Sequence, residues 1–216
     1  MATAFMAGNG LPARWQGRTH FVILATGFGQ GLDVLATWAA WRADPRRCDR
    51  LTYIAIDPCP QPPAATDEAS RRLASLWPPM TPGWHHLWLD DTPDSGEPPH
   101  PHQHLQLMLG VGDVAELLPS LLASVDAFYL VGHHTEARDQ ALPQDLTPSW
   151  VSRLNRLAAP GATAVVDTEC PLDCPDSCSL SVTVQQGRIA AIDGSRRNPV
   201  TNGFICAKVR RFGDRV

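Results

Sequence analysis

From His20 onward the chain repeats one pattern: an apolar run, a glycine or proline turn, then an amphipathic stretch. Phe21-Val22-Ile23-Leu24-Ala25 is apolar throughout, as in a strand of a parallel sheet covered on both faces, where a half-exposed strand would alternate. Leu32 to Trp41 carries apolar residues at helical spacing and stops at Asp44-Pro45. Leu51 to Ile56 predicts a second strand, and Asp67 to Leu76 a second helix. Strands at Leu105 to Leu109, Ala127 to Val131 and Ala162 to Val166 alternate with helices at Val114 to Leu122 and Ser149 to Leu157. This alternation predicts an open α/β sheet of about five parallel strands. With five strands, the one at 162–166 would be an exposed edge, a liability for association. The proline-rich stretch from Thr92 to His104 predicts a surface loop.

Near residue 166 the texture changes. Residues 1–166 hold 11 basic and 16 acidic side chains, whereas 167–216 hold seven and six. Of six cysteines, Cys170, Cys174, Cys178 and Cys206 fall in the last 47 positions. Leu180 to Val184 and Ile189 to Ile192, joined by Gln185-Gln186-Gly187-Arg188, predict a short hairpin. The expectation is an α/β unit over 1–166 followed by a small cysteine-rich segment over 167–216. The 216 residues carry a net charge of −4, with 17 arginines and one lysine, and nothing approaches the roughly 18 to 20 apolar residues of a membrane span. The first residues have no basic stretch leading into an apolar run, so a cytoplasmic location without membrane contact is expected.

Two places carry candidate chemistry. Gly27, Gly29 and Gly31 lie between the first strand and its helix, where glycines let a ligand approach the backbone and the positive helix end. Asp57 ends the second strand, where an acidic side chain can accept hydrogen bonds from a ribose. The same glycines could equally serve only the packing of an α/β turn. The spacing Cys170-x3-Cys174-x3-Cys178-x27-Cys206 offers three thiolates on a short loop and a distant fourth, suited to an iron–sulfur cubane. Zinc and unligated thiols remain alternatives at this stage. His100, His102 and His104 alternate in the proline-rich loop and read as a flexible polar insertion. Trp38 and Trp41, at helical spacing, read as core, and Cys48 and Cys59 receive no role.

Met6 to Trp15, Ala25 to Leu35, Gly112 to Pro119, Val125 to Leu130 and Arg156 to Thr163 resemble the methyltransferase half of the bifunctional tRNA 5-methylaminomethyl-2-thiouridine biosynthesis enzymes. The resemblance covers about residues 5 to 166. It implies a Rossmann-like fold binding S-adenosylmethionine, with Gly27, Gly29 and Gly31 along the methionine side, Asp57 facing the ribose, Asp113 near the adenine, and tRNA as partner. The family carries an acidic residue where Ala25 stands, and another after the fourth strand where this chain reads Val131-Gly132-His133-His134-Thr135. These departures imply a degenerate methyltransferase, with an active one as the alternative.

Cys170-Pro171-Leu172-Asp173-Cys174-Pro175-Asp176-Ser177-Cys178, with Gly203-Phe204-Ile205-Cys206-Ala207-Lys208, resembles the N-terminal 4Fe-4S segment of the molybdopterin oxidoreductases. That likeness implies a 4Fe-4S cluster on the four cysteines, with Lys208 as an electron relay toward a pterin. The family's pterin-binding portion lies beyond this stretch, so molybdopterin is not expected to bind this chain alone and would need further domains as partners. The joint expectation is a cluster-binding segment fused to a methyltransferase-like domain. A chimeric reading frame without joint activity is the remaining alternative.

Overall fold

The computed structural model describes residues 3–90, 104–131, 148–169, 178–186, 188–196, 198 and 200–211. Helix α1 (Ala4–Gly8) leads to β1 (His20–Ala25), α2 (Leu32–Ala43), β2 (Arg50–Asp57) and α3 (Glu68–Ser75). Then come β3 (Gly83–Asp90), β4 (His104–Val111), α4 (Val114–Leu117), β5 (Val125–Val131), α5 (Pro148–Leu157) and β6 (Ala158–Glu169). The chain closes with β7 (Ser179–Gln185), β8 (Arg188–Gly194) and α6 (Ala207–Arg210).

All eight strands form one mixed sheet in the order β3-β4-β2-β1-β5-β6-β7-β8. The five expected strands are its parallel centre. Because side chains alternate across a strand, apolar runs feed two cores. Phe21 and Ile23 pack with Trp15, Val34, Trp38 and Trp41 on one face. Val22 and Leu24 pack with Val114, Leu118 and Leu157 on the other. Trp38 and Trp41 are core residues, as their spacing predicts. Among the described residues, no helix is long and apolar enough to cross a membrane.

Three features depart from the sequence reading. Strand β3, antiparallel to β4, was not anticipated: Gly83-Trp84-His85-His86-Leu87-Trp88-Leu89-Asp90 mixes polar and aromatic residues without a clean period. Its pairing places His104 in a strand opposite Asp90, with its ring edge-on to Trp88 at 4.6 Å, so His104 belongs to the sheet and not to the loop. His100 and His102 lie outside the described residues.

The strand at 162–166 is not an edge. It is the middle of β6, parallel to β5 on one side and antiparallel to β7 on the other, from Thr163 opposite Gln185 to Glu169 opposite Ser179. The boundary expected at 166/167 thus falls inside one continuous strand. The hairpin satisfies the backbone groups that five strands would have left open.

Helix α1 locks this junction. A Cβ placed on Gly8 would stand 2.8 Å from Thr183 Oγ1 of β7 and closer still to Val165 of β6. The Asn9 side chain donates to the Phe128 carbonyl at 3.2 Å and accepts from the Thr163 hydroxyl at 2.5 Å. Replacing Gly8 with Ala would force β6, β7 or α1 to shift. The expected cost is about 1–3 kcal/mol, the usual range for overpacking. Urea denaturation checks it, and unchanged stability would contradict the close approach.

Candidate functional site

The parallel strands end together, which gathers the glycine turn, Asp57 and the β4–α4 turn at one rim. Ala25 lies opposite both Ala55 of β2 and Tyr129 of β5, and Asp57 lies opposite Val111 of β4. From β1 the chain winds outward to β2 on one side, and later returns to β5 on the other. The crevice between the carboxyl ends of β1 and β5 is therefore the switch point at which open α/β sheets bind ligands. Thr26, fully buried, spans it: its amide donates to the Tyr129 carbonyl and its hydroxyl accepts from the Val131 amide, both at 3.0 Å. Sequence reasoning passed over Thr26, whose position directly before Gly27 was the available signal. Tyr129 itself is buried, and burial pushes its hydroxyl pKa up.

The glycine turn is held from below. Asp57, 6% exposed, accepts from the amides of Phe28 at 2.8 Å and Gly29 at 2.9 Å on one oxygen, and from Cys59 at 2.8 Å on the other. Its carbonyl accepts from the Gly112 amide at 3.2 Å. The Gln61 amide donates to the Gly29 carbonyl at 2.9 Å, and the Phe28 ring packs on Trp77 at 5.3 Å. These partners of the loop also escaped the sequence reading, because they come from beyond the second strand.

Gly31 caps α2 with φ +73°, and no side chain caps that helix end. The positive field of that first turn therefore acts at the rim. Above Gly29, at φ +56°, a Cβ would meet nothing within 4 Å, so the turn has open space over it. Gly27 lies half-buried at the start of this turn. Asp113 is exposed, and its carboxylate accepts from the Ala115 amide at 2.6 Å at the start of α4. Gly27, Gly29, Gly31, Asp57 and Asp113 thus share one rim. His133 and His134 lie outside the described residues.

The cysteine segment is described only in part, since Cys170 and Cys174 lie outside the described residues. Cys178 is half-buried and packs against a small separate core of Leu180, Ile192, Ile205 and Val209. Cys206 is exposed, directly after Ile205 of that core, and its backbone begins α6, with exposed Lys208 two residues on. Cys178 therefore packs on this apolar cluster, and Cys206 is joined to it only through its chain neighbour Ile205. Among the described residues, no group of three or more metal-ligating side chains converges. Cys48 is fully buried beside Trp41 Nε1, 3.3 Å from its sulfur, and burial raises its pKa to about 11, so it is a packing residue. Cys59 is exposed at the rim, with Gln61 Nε2 at 3.3 Å from its sulfur.

Comparison with known proteins yields two likenesses. Residues 163–216 match the family described as the molybdopterin oxidoreductase Fe4S4 domain, a match that begins inside β6. The chain is 45% identical, over 169 residues, to the tRNA 5-methylaminomethyl-2-thiouridine biosynthesis bifunctional protein MnmC of Methylibium petroleiphilum, covering 74% of this chain and 24% of that protein. It is 37% identical over 219 residues to the MnmC protein of Thiobacillus denitrificans, covering 97% of this chain and 30% of that one. The chain thus spans under a third of the length of these relatives. The crystal structure of MNMC2 from Aquifex aeolicus shares the fold, with a TM-score of 0.52 at 15% identity over 85% of this chain and 59% of that one.

Gly31 and Gly29 separate strain from crowding. A Cβ on Gly31 would meet the Phe28 ring at 2.8 Å as well as the left-handed backbone, whereas Gly29 meets only the backbone penalty. Gly29→Ala is expected to cost about 1–2 kcal/mol. Gly31→Ala should cost more, and equal losses in urea denaturation would contradict the packing of Phe28 under the turn.

Proposed function

We propose that the rim formed by Gly27, Gly29, Gly31, Asp57 and Asp113 binds S-adenosylmethionine, and that the domain around it acts on tRNA as part of a methylaminomethyl-2-thiouridine pathway. The observation that carries this reading is the glycine turn suspended on Asp57 at the switch point between β1 and β5. The likeness to MnmC proteins supports the substrate class.

The residues present fit the cofactor. The uncapped first turn of α2 supplies amide donors for a carboxylate, and the space over Gly29 admits a ligand close to the backbone. Asp57 gives three of its roughly four acceptor positions to backbone amides, leaving one for a ribose hydroxyl. Asp57 is therefore first a positioning residue for the turn and second a contact for the sugar. Asp113, exposed at the start of α4, stands on the adenine side in this reading. The bound cofactor would supply an electrophilic methyl group; the chain's own residues hold it and fix its orientation. Ala25, buried at the end of β1, offers no charged contact to the cofactor's amino group, so the rim holds the cofactor without an ion pair at that point.

A second reading is favoured by the match over residues 163–216. Cys170, Cys174, Cys178 and Cys206 would ligate a 4Fe-4S cluster, with Lys208 beside it as a relay of electrons. The donor set is chemically apt, since soft thiolates select iron–sulfur clusters. Cys178 packs on the small core and Cys206 directly follows Ile205 of that core in sequence, which supports their joining one site. Further domains carrying molybdopterin would then be partners of this segment.

Two measurements test the pair of readings. Calorimetry should show S-adenosylmethionine binding that weakens by an order of magnitude or more in Asp57→Ala, which loses the turn's anchor; a flat trace for the wild-type chain removes the first reading. Anaerobic reconstitution with iron and sulfide should give broad visible absorbance that is lost in Cys206→Ser. Identical spectra for wild type and variant would remove the second.

A further inference from the structure

The opposite end of the sheet, where the parallel strands begin, concentrates positive charge. Of 17 arginines, six fall where the chain enters β1 and β2: Arg14 and Arg18 before β1, Arg42 near the end of α2, Arg46 and Arg47 after it, and Arg50 as the first residue of β2. The backbone ties these segments together. The Gly17 amide donates to the Arg46 carbonyl at 3.0 Å, the Asp49 amide to the Arg18 carbonyl at 3.1 Å, and the Arg50 amide to the Thr19 carbonyl at 3.1 Å. Arg18, Arg42, Arg46 and Arg50 are exposed and Arg47 is half-buried.

Four of the guanidiniums lie over aromatic faces, Arg14 among them at 5.6 Å from the Phe21 centroid. Arg18 lies over Phe21 at 5.2 Å, Arg42 over Trp38 at 5.0 Å and Arg47 over Trp41 at 4.4 Å, and all three rings are buried. Ordering a long side chain beforehand lowers the entropy lost when it binds a partner. Carboxylates do not cancel the patch. Asp44 is buried and accepts from Trp15, Gln16 and the Arg46 amide; Asp126 is buried and accepts from the Val22 amide while pairing with Arg18 at 2.8 Å; Asp49 alone is exposed. Six guanidiniums thus face three carboxylates in a chain whose net charge is −4. Among the described residues, no carboxylate forms an ion pair with Arg46 or Arg50. The local field registers on His20, whose pKa is lowered by burial and then by Arg50 and Arg18, against the opposing pull of Asp126.

We propose that this amino end of the sheet is an RNA-docking surface, on which Arg18, Arg42, Arg46, Arg47 and Arg50 grip a sugar–phosphate backbone. The inference rests on the tRNA substrate class proposed above and adds a place for the RNA remote from the cofactor rim. A six-residue strand separates the two ends by about 20 Å. Arginine forks match phosphate oxygens in bidentate fashion, and neutralising several phosphates accounts for affinity without reading bases. An anionic lipid surface would call for apolar side chains beside the charges. Among the described residues, the exposed large hydrophobics Leu32, Trp88, Leu122, Val200 and Phe204 lie outside these two segments, though Leu122 stands just before β5 at the same end of the sheet.

Fluorescence anisotropy of the full chain with a labelled, unmodified tRNA transcript tests the surface. Arg46→Gln/Arg50→Gln removes two charges that, among the described residues, form no ion pair and stack on no ring, the Arg46 charge acting on the Asp44 carboxylate only through its field. It should weaken binding ~10-fold at low salt and make the slope of log K against log salt shallower by about 1–2. Arg71→Gln/Arg72→Gln, an equal change on α3, should bind as wild type does. Unchanged binding in the first variant overturns the proposal. So does an equal loss in the second, or binding of phosphatidylserine vesicles but not tRNA by the wild type. Calorimetry with S-adenosylmethionine on the same samples keeps the two readings apart. A flat cofactor trace beside intact, Arg46/Arg50-dependent tRNA binding removes the cofactor reading and upholds the docking surface.

Discussion

The hydrogen bonds on both edges of β6 are the constraint on which this molecule depends. On one side β6 continues the parallel centre through β5; on the other it turns the sheet antiparallel through β7. A strand with one unpaired edge presents a row of open amides and carbonyls, and pairing satisfies them more cheaply than burial alone could. Helix α1 can approach so closely because Gly8 has no side chain to hold it off from Val165 and Thr183. The change in composition near residue 166 is real, yet it crosses a strand and not a linker. The Fe4S4-domain likeness over 163–216 and the MnmC likeness, which reaches 97% of the chain, therefore overlap in one sheet.

The same alignment of strands sorts chemistry to the two ends. At the carboxyl end, backbone amides turn outward at Gly27 to Gly31, and Asp57 holds them in register from the neighbouring strand. At the amino end, the segments entering β1 and β2 meet side by side and bring their arginines together. Asp44 stitches that lower end. Its burial alone would raise its pKa, but hydrogen bonds from Gln16, the Arg46 amide and Trp15 outweigh this and hold it below the ordinary carboxylate value. The stability it contributes is therefore present above the ordinary value of 3.8 and is lost as pH falls through the depressed one.

The small core of Leu180, Ile192, Ile205 and Val209 has a different role from the two large ones. It lies beside the sheet's last strands, and Cys178 packs against it while Cys206 follows its member Ile205 in the chain. A ligating segment needs few apolar contacts of its own when a metal site closes it. The hairpin has a second support, since β7 is bonded to β6 along its length.

Much of this was legible in the sequence. Apolar runs of strand length, helices at 3.6-residue spacing and the Gly27-x-Gly29-x-Gly31 turn identify the parallel centre and its rim, because periodicity and glycine chemistry are local properties of the chain. The cysteine spacing marks the tail for the same reason. Strand β3 was not legible: only its second half alternates, Leu87 and Leu89 buried between exposed His86 and Trp88, and only the edge of β4 gives it a partner. Nor was the fate of the strand at 162–166, since pairing with β7 depends on residues 179–185 returning beside it. The anchoring of the glycine turn by Asp57, the bridge made by Thr26 and the meeting of six arginines all join positions far apart in sequence. The sequence by itself determined the five central strands, the helices between them and the glycine turn. Only the tertiary structure decided which edges meet, because hydrogen bonds between strands and fields between charges act across space and leave no local signature.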